Sequence, residues 1–598
     1  MEVCCMANWR VAAKRADFDA IAQKYNITPV LARIIRNRDI VSDADIDRFL
    51  NGGMGDLYSP LLLKDMEKAV DLLLCKIREK KKIRIIGDYD IDGICSTYIL
   101  YRGLCECGAV VDTAIPHRMH DGYGLNEHLI DMAHEAGADT VLTCDNGIAA
   151  YEQIAYANTL GMTVVVTDHH EVPYEERDGV RHYKIPPAYA VVDPKQEDCA
   201  YPFPEICGGV VAYKLALVLL SRHFGKEWQE IMTSELGYAL LELAAFATIG
   251  DVMELKDENR ILVKCGLELM KNTRNIGLRA LMDVTQIQPG QIKPHTIGFV
   301  LGPCLNATGR LDTASKALEL FCAQDTQSAV QIAGDLKAMN DSRKELTNKG
   351  VEEAVRLIEE SGLLNDKVLV VYLPDVHESL AGIIAGRIRE KYGKPTFVLT
   401  DAEDGVKGSG RSIEAFHMYD EMTKCKELFT KYGGHKLAAG LSLPKQNVEP
   451  FREIINNNCV LTDADFEEKV LIDVPMPMDY ASPALVEELA LLEPFGNGNP
   501  KPQFAHKNVK LLSGRILGAN KNVGKYVVEG ESGKRFDMMY FGDLGAFHAF
   551  LRDKFGADKV ERLYGGGTSD MAVSVVYYPD INEFGGKKSL QMVMKYYQ

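Results

Sequence analysis

The stretch Ile83-Arg84-Ile85-Ile86-Gly87-Asp88-Tyr89-Asp90-Ile91-Asp92-Gly93 runs a short apolar strand pattern directly into three carboxylates at alternate positions. Residues two apart in extended chain share a face, so Asp88, Asp90 and Asp92 converge. Their repulsion in a partly buried pocket would be severe unless cations neutralised it, and the segment is read as a divalent-metal site. An acidic turn capping a helix is the plainer alternative for an Asp-x-Asp pattern alone. Gly93 then allows a tight turn into the next helix, whose N-terminal amides could face a phosphate.

Outward from this stretch the pattern alternates. A helix is predicted over 62–80 and strands over 83–87, 110–116, 140–144 and 163–167, with helices at about 94–107, 125–136 and 149–160 between them. Such alternation predicts a parallel sheet with helices on both faces, and ligands in such sheets bind beyond the carboxyl ends of the strands. Residues 208–249 and 312–360 read as helical. In the latter, Ile332, Leu336, Met339 and Leu346 form a narrow apolar stripe around a polar middle, Asn340–Glu345, as expected of a helix bridging two domains. A second α/β unit follows, with strands at 367–373 and 396–400 around a helix near 379–392, and after about residue 462 short strands and Gly/Asn turns predict a β-rich module.

Two further strands end on hard ligands: Thr140–Cys144 leads into Asp145-Asn146-Gly147, and Thr163–Thr167 into Asp168-His169-His170. Adjacent histidines point in different directions, so one can ligate a metal while the other faces substrate or is held by Asp168. A lone His pair is more often structural, but three neighbouring strands delivering ligands to one sheet edge weaken that reading. Asp251 closes an apolar helix, where an unpaired carboxylate is costly, and is the fourth candidate. Carboxylates with imidazole and without thiolate suit Mn²⁺ or Mg²⁺.

Asp90-x-Asp92-Gly93, Asp145-Asn-Gly, Asp168-His169-His170 and Asp251 reproduce, in order and spacing, the four motifs of the DHH phosphoesterase superfamily. Further stretches resemble its RecJ-type branch of bacterial single-stranded-DNA exonucleases: Val192-Asp-Pro-Lys-Gln, Gly302-Pro-Cys-Leu-Asn306-Ala-Thr-Gly-Arg310-Leu-Asp, Gly408-Ser-Gly-Arg411-Ser, Gly433-Gly-His435-Lys-Leu-Ala-Ala-Gly and Leu492-Glu-Pro-Phe-Gly-Asn-Gly-Asn-Pro-Lys-Pro. The likeness spans nearly the whole chain. Three positions depart from the usual pattern: Cys304 replaces a basic residue, Thr308 an Ala, and Val376 the Trp before His-Glu. None removes a metal ligand.

The resemblance implies an α/β fold with a DHH-type parallel-sheet catalytic domain joined by a long helix to a second α/β, DHH-associated domain, plus a C-terminal OB-fold-like domain. The expected bounds are 1–61 for a segment capping the core, 62–315 for the catalytic domain, 316–362 for linking helices, 363–462 for the DHH-associated domain and 463–598 for the OB-like domain. It implies metal-dependent 5′→3′ hydrolysis of single-stranded DNA to 5′-mononucleotides, in recombination and repair, with two Mn²⁺ or Mg²⁺ ions. By resemblance Asp88 and Asp90 would favour one ion, Asp92, His169 and Asp251 the other, and Asp145, from the central strand, would bridge them. His170 would contact the scissile phosphate or help protonate the leaving oxygen. Because a two-metal centre draws its nucleophile from water, no Ser or Cys nucleophile is needed, and Cys144 is expected to be packing.

An exonuclease must also recognise an end. Gly408-Ser409-Gly410-Arg411-Ser412 has the composition of a phosphate cradle, with amides, two hydroxyls and a guanidinium in one small loop; a Gly/Ser hairpin is the bland alternative. The resemblance makes Ser409 and Arg411 ligands of a 5′-terminal phosphate, with Arg118 and Arg310 as partners and Tyr123 stacking on the terminal nucleotide. Asn306 joins this substrate-binding set, and His435 resembles a residue lining the nucleotide path.

The 598 residues amount to about four domains of ~150 residues. A net charge of −17, with 46% hydrophobic and 26% charged residues, argues against coating nucleic acid by bulk electrostatics. Residues 501–598 nevertheless carry 15 Lys and Arg against 10 Asp and Glu, a net of +5. With Phe504, Tyr526, Phe536 and Tyr540 interleaved, they read as an oligonucleotide-binding barrel that grips the strand, although core aromatics would be the safer reading on composition alone. No apolar run reaches the ~20 residues of a membrane span, since Val210–Leu220 is broken by Lys214. Fourteen cysteines without a CxxC pair fit reduced thiols, and together with the absence of a secretory signal they predict a cytoplasmic protein; a monomer is expected. The expected partners are single-stranded DNA with a 5′ end, a helicase and a single-strand-binding protein.

Two alternatives differ in what they require. A phosphodiesterase for short oligoribonucleotides or cyclic dinucleotides would usually consist of the catalytic pair of domains alone, whereas this chain adds an end-binding stretch and a C-terminal module. A catalytically dead scaffold would have lost ligands, and every motif Asp and His is present.

Overall fold

The computed structural model describes residues 8–116, 124–311, 314–403, 405–518, 520–567, 569–584 and 586–598. They form two compact units: residues 52–465 with 496–499, and residues up to 51 with 466–495 and 500–598.

The larger unit starts from the predicted alternation. Strands Val110–Ala114, Lys82–Ile86, Thr140–Cys144, Thr163–Thr167 and Ala190–Val192 lie side by side in that order, and all pair in parallel. Period-two alternation assigns their side chains to two cores. Ile83, Ile85, Leu142 and Val165 pack on one face with the helices Ile91–Glu106, Gly208–Phe224 and Glu235–Gly250. Ile86, Val141, Val164 and Val166 pack on the other with Glu127–Glu135 and Tyr151–Thr159. The chain leaves Lys82–Ile86 for one edge and returns to Thr140–Cys144 on its other side, so the topological switch point lies between these two strands. The three acid-bearing turns expected at one edge follow strands that are indeed neighbours.

A single 35-residue helix, Thr326–Glu360, leads to the second sheet. Its buried face is Ala329, Ala333, Leu336, Asn340, Thr347, Gly350, Ala354 and Ile358. The polar middle is therefore not simply wet. Asn340 is buried, donates to Cys304 Sγ at 3.4 Å and accepts from Arg343 at 2.9 Å, while Leu346 is exposed. The second sheet runs Lys431–Gly434, Ala438–Leu443, Gly405–Arg411, Thr396–Ala402 and Leu369–Tyr372, with only the last two strands parallel.

In the smaller unit, strands Phe504–Leu517, Val523–Glu529, Arg535–Tyr540, Lys587–Tyr597 and Met571–Phe584 pair in sequence, and the last pairs back to the first, closing a barrel. Closure removes the open edges of the sheet. Helices Leu544–Phe555 and Ala557–Tyr564 interrupt the β-rich stretch. Phe504, Tyr526, Phe536 and Tyr540 are all buried in the barrel, which corrects their reading as a strand-gripping surface: inward positions of a closed sheet must be filled, and aromatics fill them. The expectation that residues 1–61 cap the catalytic core is corrected for residues 8–51, while Leu57 does pack in that core. Residues 8–11 pair in parallel with Lys469–Ile472, and Leu31, Ile34, Ile35, Ile46 and Leu50 join the barrel's cluster, because amphipathic Pro29–Asn37 needs an apolar surface for one face.

Ile34 is fully buried, so Ile34→Ala should cost about 2–5 kcal/mol. Limited proteolysis in rising urea should show earlier cleavage within 466–598, while sites within 52–465 keep their wild-type midpoint.

Candidate active site

The metal-binding candidates meet at the switch point. Asp88, Asp90 and Asp92 follow Lys82–Ile86, Asp145 follows Thr140–Cys144, His169 and His170 follow Thr163–Thr167, and Asp251 is the C-cap of Glu235–Gly250. Among the described residues, three sets have ligand atoms within 4.8 Å of one another: Asp88, Asp90 and Asp145; Asp92, His169 and Asp251; and Asp145, His169 and His170. Asp145 and His169 each belong to two of them. His169 Nε2 lies 3.1 Å from Asp145 Oδ1, 3.5 Å from Asp92 Oδ2 and 3.9 Å from Asp251 Oδ2.

Local backbone chemistry holds these groups in place. Asp90 caps the helix Ile91–Glu106 and accepts from the Gly93 amide at 3.1 Å. Asp145 has φ +59°, a left-handed conformation that is costly for a residue with a Cβ, and its amide donates to Thr167 O at 3.1 Å. Both oxygens of Asp92 accept backbone amides at 2.7 Å, from Gly208 and Gly209 at the start of Gly208–Phe224. A Cβ on Gly208 would lie 2.8 Å from Asp145 Cβ, so no larger residue fits between the two ligands. This glycine pair escaped the sequence reading; its signal is Gly-Gly opening an apolar helix. Asp168 is not in the metal sets. It accepts from the amides of Ile148, His169 and His170 and from His170 Nδ1 at 2.7 Å, which orients that ring.

The electrostatics ask for cations. Burial, then repulsion from Asp92, Asp90, Asp88 and Asp251, holds the Asp145 carboxyl well above the ordinary range. Burial and Asp92 raise Asp90. Burial, then Asp92 and Asp90, pushes Asp251 to about 8. Burial lowers His169, leaving a neutral ring suited to ligation. For His170 burial opposes the charged form, but the Asp168 hydrogen bond and nearby carboxylates prevail, and its pKa rises to about 9. An oxygen-rich set with one neutral imidazole fits a hard divalent ion. The Cys144 thiol, pushed to about 12 chiefly by burial, is core packing rather than a nucleophile.

The second group of expected residues lies in the other sheet. The segment 408–412 is not a loop: Gly405–Arg411 is the middle strand, with Ser409 opposite Val398 on one side and Gly440 on the other. Its amides serve the sheet ladder, and buried Ser412 donates to Phe416 O, so neither is free for a phosphate. Ser409 and Arg411 share one face and reach the first turn of Ala381–Tyr392: a Cβ on Gly382 would lie 2.8 Å from Arg411 Nη2 and 3.4 Å from Ser409 Oγ. An open cavity of about 380 Å³ beside Ser409 is also lined by Lys407, Lys431, Tyr432, Ser442 and the carboxylate Glu378, and not by Arg411. His435 is exposed at the turn after Lys431–Gly434, outside the metal sets. Asn306, on Gly302–Leu311, has a buried Oδ1 with no partner among the described residues, and the same helix meets Tyr89 through Gly309. Arg310 lies on that helix but its side chain, like Arg118 and Tyr123, lies outside the described residues.

Fold and site define a DHH-type protein: the models for the DHH family N-terminal domain, the DHHA1 domain and the RecJ OB domain match residues 82–248, 365–460 and 472–596. The single-stranded-DNA-specific exonuclease RecJ of Bacillus subtilis (strain 168) is 32% identical over 98% of this chain and 70% of its own length. The crystal structure of RecJ from Thermus thermophilus with Mn²⁺ superposes with a TM-score of 0.79 at 26% identity, covering 99% of this chain and 79% of that one. The structure of RecJ from the same source with Mg²⁺ gives 0.73 at 25% identity, covering 99% and 78%. The chain belongs to the RecJ family of single-stranded-DNA-specific exonucleases.

Two outcomes are expected. The raised carboxylates keep, in the metal-free fold, protons that the unfolded chain releases near pH 4, so the metal-free fold loses stability as pH climbs toward about 8. His170⁺ adds in the same direction, its contribution fading as pH rises through about 9. The rise in Tm on replacing EDTA with Mn²⁺ should therefore be larger at pH 8 than at pH 6 by differential scanning fluorimetry. Gly208→Ala, which wedges Asp92 from Asp145, should raise the Mn²⁺ concentration giving half that shift roughly 10- to 100-fold.

Proposed function

We propose that this chain is a metal-dependent exonuclease that degrades single-stranded DNA from its 5′ end to mononucleotides. The observation that carries this reading is the convergence of five carboxylates and two histidines at the switch point of a parallel sheet, complete in every DHH motif. Two Mn²⁺ or Mg²⁺ ions bound there would supply an activated water and offset the charge developing on the phosphate. Asp88 and Asp90 would hold one ion and Asp92, His169 and Asp251 the other, with Asp145 within reach of both groups through Asp88, Asp90 and His169. Asp92 keeps its orientation through the Gly208 and Gly209 amides. Asp168 fixes His170 through Nδ1, and His170 would contact the scissile phosphate or help protonate the leaving oxygen.

End recognition is the task of the second sheet. Arg411 and Ser409 meet the first turn of Ala381–Tyr392, where a guanidinium, a hydroxyl and the positive end of a helix favour a phosphate dianion. This arrangement replaces the loop cradle. By resemblance, Arg118, Arg310, Asn306, Tyr123 and His435 would contact the terminal nucleotide. A 5′ pocket at a fixed distance from the metals makes each cut release one nucleotide. No helix among the described residues is long and apolar enough to cross a membrane. We assign the chain to the cytoplasm as a monomer, working on ends that a helicase and a single-strand-binding protein present.

Asp145→Ala should abolish Mn²⁺-dependent hydrolysis while circular dichroism remains native; substantial residual cleavage would remove the site assignment. Arg411→Ala should reduce kcat/KM on 5′-phosphorylated strands far more than on 5′-hydroxyl strands. Digestion of 5′- and 3′-labelled single strands, with duplex and short RNA controls, should give early mononucleotide release from the 5′ label alone.

A further inference from the structure

The helical segment from Pro294 to Leu311 is broken by a π-helical turn, Ile297–Leu301. A π turn inserts a residue into the helix, changes the direction in which neighbouring side chains leave it, and occurs frequently at functional sites. Here it presents Phe299, 69% exposed, beside exposed His295, with ring centroids 4.6 Å apart and planes inclined by 30°. A single exposed apolar residue is ordinary. An exposed phenyl ring lying on an imidazole, at a helix irregularity, is a flat aromatic platform.

Its position ties it to the metal loop. Ile91, between Asp90 and Asp92, is clasped by two glycines: a Cβ on Gly250 would lie 2.5 Å from Ile91 Cγ2, and one on Gly302 2.7 Å from Ile91 Cδ1. Gly250 immediately precedes Asp251. Gly302 follows the π turn directly, so Phe299 stands within one helical turn of the contact with Ile91, about 5 Å along the axis. The segment after Gly250 carries a second exposed apolar side chain, Val252, 65% exposed and held at φ +57° next to Asp251. Two segments that meet on the metal loop thus each turn an apolar side chain outward.

We infer that Phe299, backed by His295, is a stacking platform for one nucleobase of the single strand near the scissile phosphate, with Val252 flanking it. This rests on the exonuclease reading above and adds a positioning element to it. A π face accepts any base, so the platform holds register without reading sequence. The phosphates carry the charge contacts, and the ring fixes how far the strand has advanced.

The test uses the full-length protein, Mn²⁺ and 5′-phosphorylated 12-nucleotide oligothymidylates in which one abasic site is moved through the strand. In the wild type, one position of the abasic site should raise KM about 5- to 150-fold, the worth of one stacked base. Phe299→Ala should raise KM on the intact strand by a similar factor and remove the penalty at that position, with kcat little changed; Phe299→Trp should retain both. An identical abasic profile in wild type and Phe299→Ala, with normal cleavage, overturns the platform alone. Failure of the wild type to cleave any of these strands overturns the exonuclease reading and the platform with it.

Discussion

Repulsion among buried carboxylates is the constraint around which the larger unit is organised. Asp88, Asp92, Asp145 and Asp168 are all buried, Asp90 and Asp251 lie beside them, and the sheet edge cannot relax them into water. The surrounding fold over-determines their positions. Apolar side chains on both faces lock the strands in register, the amides of Gly208 and Gly209 clamp Asp92, and Asp145 is kept at φ +59°, a conformation that costs of the order of 1–3 kcal/mol elsewhere. Strain and like-charge crowding persist because the packed core offsets them. Divalent cations then relieve a repulsion that the polypeptide imposes.

Asp168 shows how finely neighbouring acids are separated in role. It is as buried as Asp145, yet it sits below the usual carboxylate range. Burial opposes the charge there, but His170, His169 and the Ile148 amide outweigh it. Two aspartates at the ends of adjacent strands thus take opposite protonation tendencies, one from like charges and the other from donors. The first is poised to receive a cation and the second to orient a histidine.

What the sequence made legible follows period and order. Alternation of short apolar runs with helical stretches located the five-strand catalytic sheet's first four members and the acids beyond them, because a buried parallel strand leaves a continuous apolar run. It failed where local composition was overruled by distant pairing. Gly408-Ser-Gly-Arg-Ser has the residues of a turn, but glycine also lets a strand pass close to Leu399, Leu441 and Phe397, and no local signal distinguishes the two. Asn340 reads as solvent-facing until Cys304, 36 residues earlier, is seen to accept its amide proton. The barrel aromatics and the destination of residues 8–51 likewise depended on which surface closes on which. The Gly208–Asp92 bond spans 116 residues and leaves only a glycine pair as its trace.

The net charge of −17 acquires a different meaning in this setting. Six of the aspartates sit at one sheet edge, where two divalent ions would contribute four positive charges that the formal count omits. Metal-free, that edge repels a phosphate; two ions would cut the formal charge from −6 to −2 and offer the phosphate direct ligation. Metal and strand therefore bind with positive coupling, and by linkage the strand must tighten the metal as much as the metal tightens the strand. The rest of the acidic surface repels nucleic acid, while the Arg411–Ser409 face and the net +5 of residues 501–598 do not. Such a charge distribution disfavours broad, nonspecific adhesion along duplex DNA, whose affinity comes from many phosphate contacts at once. It suits a strand held by few, well-placed contacts, as the proposed 5′ pocket and stacking platform require.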